Sequence, residues 1–219
     1  MPKKGDQLTF GEISLLKWWI QNGADLNSEL MGYDITKEIK YILIRDYNLN
    51  PVKRSFIETI KINPLPLKKL NSLKSSGWEI TPLAQNNHLL EVSVAEGHAI
   101  DNEQIAELSE IKDHITWLNL GNQGIRNDDL TFISNFSNLT RLRIENNYVS
   151  DEGVKHLVNL HNLVSLNIYN NPITDNSLEH IEQLQNLKKL FLWKTNITST
   201  GIDRINQTRS DIVINAGYP

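Results

Sequence analysis

Side chains that could carry out chemistry are few in this 219-residue chain and are spread along its length. The sequence contains no cysteine, which excludes disulfides, thiol nucleophiles and thiolate metal sites within these residues. No nucleophile with a base, no paired-carboxylate site and no phosphate-binding glycine loop stands out. The sequence therefore predicts a protein that is not an enzyme and has no catalytic residues.

The histidines offer two patterns that metal binding could use. His156 and His180 occupy equivalent positions 24 residues apart, and two histidines in register could hold zinc. Phe132 and Arg204 occupy the equivalent positions on either side, so no third ligand follows, and half-exposed helix positions are the simpler interpretation. His98 lies in the acidic stretch AEGHAIDNE, which could bind a cation weakly or form a solvated loop. We predict no metal site and no cofactor from these residues.

Charge and hydropathy exclude several classes of partner. The net charge is −4 and the isoelectric point is near 5.9, so electrostatics give no reason to expect nucleic acid. No apolar run approaches the roughly 18 residues that span a bilayer. No basic segment followed by an apolar one marks a secretory signal. With 39% hydrophobic and 22% charged residues, the composition is that of a folded globular protein.

From Ile115 onward the sequence repeats itself every 24 residues without gaps. The four copies begin at positions 115, 139, 163 and 187, and each reads L-x-x-L-x-L-x-x-N-x-I followed by a helix-forming stretch. Apolar residues alternate with polar ones at the period of a strand that buries one face. These apolar positions are Leu118, Leu142, Leu166, Leu190, Leu120, Ile144, Ile168 and Leu192. The pattern resembles the leucine-rich repeat, which implies an α/β solenoid, a horseshoe with a parallel sheet on its concave face and helices on its convex face.

Polar residues follow each predicted strand and precede each predicted helix. Gln123, Asn147, Asn171 and Thr195 lie where side chains can bond to the turning backbone of neighbouring repeats. The pairs Ser150–Asp151 and Thr174–Asp175 are typical helix caps. Because one repeat cannot bury both of its faces, we expect stability to come from stacking.

The chain divides into four predicted segments: a helical segment 1–23, a connector 24–64, an N-terminal cap of the solenoid 65–88 and repeats 89–219. The first segment has a capping box, with Thr9 at the N-cap and Glu12 three residues later. Its stripe Ile13, Leu16 and Ile20 is predicted to face a packing partner, because so short a helix does not stay folded alone.

The residues between the buried leucines point to the other side of the predicted sheet. They combine aromatic and basic side chains, which are enriched where proteins bind one another. The alternative is that they only pack against each other along the sheet. The candidate binding residues are Trp117, Asn119, Arg141, Arg143, Tyr169, Lys189, Phe191 and Trp193.

The first residues resemble another family. The stretch MPKKG followed by LTFGEISLLKWWIQNGAD is similar to the end of planctomycete-type c-type cytochrome domains, and LNSLKSSGWEITPLAQNNHLLEVSV resembles the segment that joins such domains to leucine-rich repeats in large exported bacterial proteins. The resemblance implies that Met1 is a distal haem ligand and that the helix of segment 1–23 closes a haem domain. Haem c requires a C-x-x-C-H motif that a chain without cysteine lacks, so it could bind only with residues upstream.

Two functional hypotheses follow. The first is a non-catalytic binding or scaffolding module, periplasmic or otherwise exported by resemblance, that contacts a protein partner or its own cytochrome domain through the concave face. The alternative is an electron-transfer cytochrome in which the repeats only position a haem domain. Neither hypothesis involves nucleic acid or a membrane span within this chain.

Overall fold

The computed structural model describes residues 7–26, 33–49, 56–84 and 87–217. The chain separates into two compact units, one ending at Thr59 and the other beginning at Ile60. Met1, the predicted haem ligand, lies outside the described residues. Among the described residues, no helix is both long and apolar enough to cross a membrane.

The second unit is built on one seven-stranded sheet whose strands follow each other in chain order. The first two strands pair antiparallel, and every later pair is parallel. The strands are β1 (Trp78–Pro82), β2 (Leu90–Val94), β3 (Ile115–Asn119), β4 (Arg141–Arg143), β5 (Ser165–Asn167), β6 (Lys189–Phe191) and β7 (Val213–Asn215). The fold is therefore the α/β leucine-rich-repeat solenoid that the sequence predicts.

Short helices precede the sheet and return the chain between its parallel strands. Those of the second unit are α4 (Leu67–Ser75), α5 (Asn102–Glu107), α6 (Leu130–Ile133), α7 (Asp151–Lys155), α8 (Leu178–Glu182) and α9 (Ser199–Thr208). Short 3₁₀ turns, Leu108–Ile111, Asn127–Asp129 and Asp175–Ser177, follow α5 and precede α6 and α8. Helix α4 ends before Gly77, and β1 then pairs with β2 at one edge of the sheet.

The core follows directly from the repeat. Leu118 pairs with Leu142, Leu142 with Leu166 and Leu166 with Leu190, and all four are at most 1% exposed. Since the copies contain no insertion, equivalent leucines lie one above another and bury a continuous apolar layer. This register fixes which side chains point away from the core.

Buried asparagines tie successive repeats together. The side chain of Asn147 accepts hydrogen bonds from the backbone amides of Gln123 and Ile125, both at 3.0 Å, and donates to carbonyl oxygens on both repeats. Asn171 does the same one repeat later, accepting from the amide of Val149 and donating to the carbonyl of Ile144. The predicted role of this polar column is confirmed for these two residues.

The aspartates predicted to cap helices bond to the next repeat instead. Asp151 accepts hydrogen bonds from the backbone amide and the hydroxyl of Thr174 at 2.7 and 2.6 Å. Asp175 accepts the same pair from Thr198 at 2.8 and 2.7 Å. Ser150 makes no side-chain cap bond, whereas the Thr174 hydroxyl accepts a hydrogen bond from the backbone amide of Asn176 at 3.3 Å, which confirms the predicted cap at that residue. The cap interpretation was wrong for the aspartates because residues 23 apart become neighbours only once the coils are stacked.

The first unit packs two helices against each other. They are α1 (Phe10–Gln21), which has the predicted capping box between Thr9 and Glu12, and α2 (Lys37–Tyr47). A short helix α3 (Phe56–Thr59) follows. Trp18 packs with Ile39, Ile42 and Leu43 in a small buried cluster. Segment 24–64, predicted to be a connector, therefore provides the helix that α1 packs against.

The orientation of α1 differs from the prediction. Ile13, Leu16 and Ile20 are 51%, 44% and 63% exposed, whereas Trp18 is only 8% exposed. Gly11 is buried beside Ile42 and Asp46 of α2, and a Cβ atom there would lie 2.8 Å from the Asp46 carboxylate. The helices approach along this glycine-containing side of α1, so the predicted apolar stripe faces outward.

Candidate functional site

The parallel register aligns the outward side chains in three columns, and we call this side of the sheet the concave face. Each column takes one residue from each of four successive repeats. The columns are Trp117, Arg141, Ser165, Lys189; then Asn119, Arg143, Asn167, Phe191; and, just beyond the strands, Gly121, Glu145, Tyr169, Trp193. All eight predicted binding residues therefore lie on this face, and none lies in the core.

Exposure divides these residues into two groups. Four are exposed, namely Arg141, Arg143, Lys189 and Trp193, the last with 45% of its surface accessible. The others, Trp117, Asn119, Tyr169 and Phe191, are half-buried. A large aromatic ring that stays this exposed on an ordered sheet is available for contact with another molecule.

At one side of the face, Arg141 stacks on Trp117. The guanidinium carbon of Arg141 lies 4.0 Å from the centre of the indole ring, within the range of a cation–π interaction. Arg141 makes no ion pair with any described residue, so its charge is available to a ligand. Arg141 therefore packs laterally on Trp117 and is also exposed on the concave face.

In the middle of the face, Arg143 is already paired. Its guanidinium donates to the carboxylate of Glu145, whose side chain is only 8% exposed. Asn167 donates to the other carboxylate oxygen at 3.1 Å. A Cβ at Gly121 would lie 2.9 Å from the Glu145 carboxyl carbon, so this glycine makes room for the acid. Arg143 is therefore a weaker candidate for binding an anion than its charge alone suggested.

At the other side, two aromatic rings lie together beneath a lysine. The rings of Tyr169 and Trp193 have centres 5.3 Å apart and are tilted by 31°. The ammonium of Lys194 lies 5.0 Å from the Trp193 ring centre and 5.6 Å from that of Tyr169. A Cβ at Gly217 would fall 2.0 Å from the indole, so Trp193 rests directly on that glycine.

Lys194 and Glu145 are the residues of this face to which the sequence analysis assigned no role. Lys194 has a positive φ of 54°, and the equivalent residues of the three preceding repeats are Asn122, Asn146 and Asn170, with φ of 61°, 55° and 52°. The signal was the replacement of asparagine by lysine in the fourth copy. For Glu145, the signal was the arginine two residues before it on the same strand face.

The predicted asparagine site residue has a local structural role. Asn119 accepts a hydrogen bond from the backbone amide of Gly121 at 3.1 Å, and Asn167 accepts one from the amide of Tyr169 at the same distance. Both side chains support the turn that ends their strand. Asn119 therefore shapes the face, and part of its hydrogen-bonding capacity is already used.

Metal ligands are not grouped in the part of the chain that the structure describes. No cluster of three or more His, Asp or Glu side chains is placed to hold an ion there. His156 and His180 are half-buried helix residues, and His180 lies 3.6 Å from the carboxylate of Glu179.

Comparisons with solved structures return proteins of the same repeat type. The chain is similar to an internalin of Listeria monocytogenes, with a TM-score of 0.45 and 28% identity over 52% of this chain and 31% of that one. It is similar to internalin C2 of the same organism (TM-score 0.45, 23% identity, 57% and 50% of the two chains) and to a leucine-rich-repeat protein of Leptospira interrogans (0.35, 16%, 53% and 34%).

The chain spans less than two thirds of the length of each of these three proteins. No protein-family model and no curated protein matches it. The resemblance to cytochrome fusions stays a prediction from the sequence. The repeat and the sheet topology together identify the fold of the second unit as a leucine-rich-repeat solenoid.

Proposed function

We propose that the solenoid is a non-catalytic module that binds a partner protein through its concave face. The observation that carries the proposal is the exposed Trp193, which shares the outward side of its repeat with Phe191 and lies 5.0 Å from the ammonium of Lys194, a cation without an ion-pair partner among the described residues. Tryptophan and arginine dominate the residues that contribute most to protein–protein affinity. Covering such a ring removes apolar surface from water, at about 25 cal/mol per Å².

The dimensions and charge of the surface favour a protein as the ligand. The columns from β3 to β6 cross three strand spacings, or about 14 Å at roughly 4.8 Å per spacing. The net charge of the chain, −4, opposes association with a long polyanion. A broad surface with aromatic residues and a few positive charges is suited to a protein segment.

The solenoid also presents these side chains in a fixed arrangement. The hydrogen bonds that asparagine and aspartate side chains make between repeats fix the position of each repeat relative to the next. A rigid surface loses less conformational entropy on binding, so more of the contact energy appears as affinity.

The electron-transfer alternative has no observation in its favour. It depends on Met1, which lies outside the described residues, and on a haem-attachment motif that this chain does not contain. Export, docking on a cytochrome domain and attachment to a haem protein likewise stay predictions from sequence resemblance.

Quantitative capture from extracts of the producing cells tests the proposal. The double variant F191A/W193A should capture at least tenfold less of the proteins that the wild type retains. The reason is that a tenfold change in affinity corresponds to about 1.4 kcal/mol, and a central aromatic residue contributes about 2 kcal/mol or more. Tyr148→Ala removes an aromatic ring that is 68% exposed but lies outside the three columns, and should retain the wild-type set. Equal retention by all three proteins would overturn the proposal.

A further inference from the structure

Lys194 occupies a backbone conformation that lysine disfavours. Its φ of 54° is left-handed, and the three equivalent residues before it are asparagines, which tolerate this region better. Strain of this kind in a folded protein is concentrated at functional sites. The fourth copy of the repeat therefore carries a lysine at a cost in stability that asparagine would avoid.

The position gives the lysine a defined place on the concave face. Its ammonium lies above the rings of both Trp193 and Tyr169, and no described carboxylate pairs with it. Trp193 in turn is seated on Gly217. The result is a positive charge on an aromatic platform, facing away from the core.

Two further cations lie in the first column. Arg141, stacked on Trp117, and Lys189, two strands away, are both exposed and make no ion pair with a described residue. Arg143, in contrast, is neutralised by Glu145. The unpaired positive charge is thus concentrated at Arg141, Lys189 and Lys194, although the chain as a whole is negative.

We propose, on the basis of the function proposed above, that the partner presents an extended acidic segment to this face. One carboxylate binds Lys194 above its aromatic platform, and a second binds Arg141 where it stacks on Trp117. An apolar side chain between them packs on Phe191, which lies on β6 between Lys189 and Trp193. Charge complementarity selects this occupant.

The spacing of the two acidic groups follows from sheet geometry. Arg141 and Lys189 are two strands apart, which is about 10 Å across the sheet. Lys189 and Trp193 are separated along the strand direction by about 13 Å, at roughly 3.3 Å per residue. The diagonal is about 16 Å, which an extended chain covers in about five residues at roughly 3.3 Å each. A long, uniformly charged polyanion such as nucleic acid would be repelled by the net charge of the chain, −4.

Synthetic peptides test this inference directly. The first probe is a short Gly/Ser peptide with two aspartates about five positions apart and a leucine between them. A second peptide has the same composition with the aspartates adjacent, and the third probe is a single-stranded oligonucleotide. Affinities are measured at low ionic strength by quenching of tryptophan fluorescence, because surface electrostatics are screened by salt. The spaced peptide should bind at least about fivefold tighter than either other probe, a factor worth about 1 kcal/mol.

The variant K194N separates recognition from folding. It should weaken binding of the spaced peptide about threefold, a factor worth about 0.7 kcal/mol and within the range measured for exposed charge pairs. It should also raise the Tm by roughly 2–4 °C, because asparagine relieves the left-handed strain. The control Lys155→Ala removes an exposed lysine of α7 and should leave peptide affinity unchanged.

Three results would overturn the inference: equal binding of the spaced and adjacent peptides, oligonucleotide binding as tight as that of the spaced peptide, or unchanged peptide affinity in K194N. If any of them occurs while F191A/W193A still abolishes protein capture, the acidic segment is excluded but the protein-binding function stands. If F191A/W193A also fails to reduce protein capture, both proposals are excluded.

Discussion

Replacement of Asn147 by alanine is expected to lower the free energy of unfolding of the solenoid by about 3 kcal/mol. The amide side chain is buried, accepts from two backbone amides and donates to the carbonyl oxygens of Leu120, Ile144 and Glu145. Alanine leaves these buried groups without a partner, and each unsatisfied group costs about 1–3 kcal/mol before water or rearrangement compensates. Urea unfolding followed by circular dichroism measures the change.

Asn186 provides the matched control for this variant. It is exposed, and its amide donates one hydrogen bond, to the carbonyl of His161 at 2.7 Å. Asn186→Ala should therefore cost only about 0.5–1 kcal/mol. If the two alanine variants were equally stable, the buried asparagines would not be what holds the repeats together.

Replacement of Arg209 by alanine is expected to cost about 2–3 kcal/mol and to loosen the last repeat first. The guanidinium, with 16% of the side chain exposed, donates to the carbonyls of Glu182, Leu184, Gln185 and Leu187 and pairs with Asp211. Arg209 and Lys188 hold the pKa of the Asp211 carboxyl well below its usual range. Hydrogen exchange of the amides in α9 and β7 measures the loosening.

Arg209→Lys separates charge from geometry. Lysine keeps the positive charge but cannot donate to four carbonyls from a planar fork, so it should recover less than half of the lost stability. Faster exchange confined to α9 and β7 is expected in both variants. Full recovery of stability by lysine would show that charge alone, rather than the array of hydrogen bonds, fastens the final repeat.

The repeat region could be predicted almost residue by residue because its period contains no insertion. Once Leu118 and Leu142 are aligned, the direction of every side chain between β3 and β6 follows from strand alternation. The placement of Trp117, Phe191 and Trp193 outside the core needed no other information. Their function as a binding surface remains a proposal.

Contacts between repeats were harder to predict from the sequence. Asp151 was interpreted as a cap because Ser150 and the helix are its nearest neighbours along the chain, yet it bonds to Thr174. Arg143 was interpreted as an available cation, yet Glu145 neutralises it. Both contacts depend on exact side-chain positions that repeat spacing does not specify.

The helical unit shows a different limitation. The apolar residues of α1 cover more than one side of the helix, so the periodicity could not identify the side that packs. The structure buries Trp18 and Gly11 against α2, while Ile13, Leu16 and Ile20 remain exposed. Contact through glycine allows close approach of the two helices, which an apolar pattern alone does not indicate.

Site-specific photocrosslinking tests the central claim most directly. A photoreactive phenylalanine analogue is placed at Phe191 on the concave face or at the exposed Glu179 on helix α8, and each protein is irradiated in extracts of the producing cells. The account predicts discrete protein adducts from position 191 and none above background from position 179. Adducts confined to position 179, or equal adducts from both positions, would contradict it.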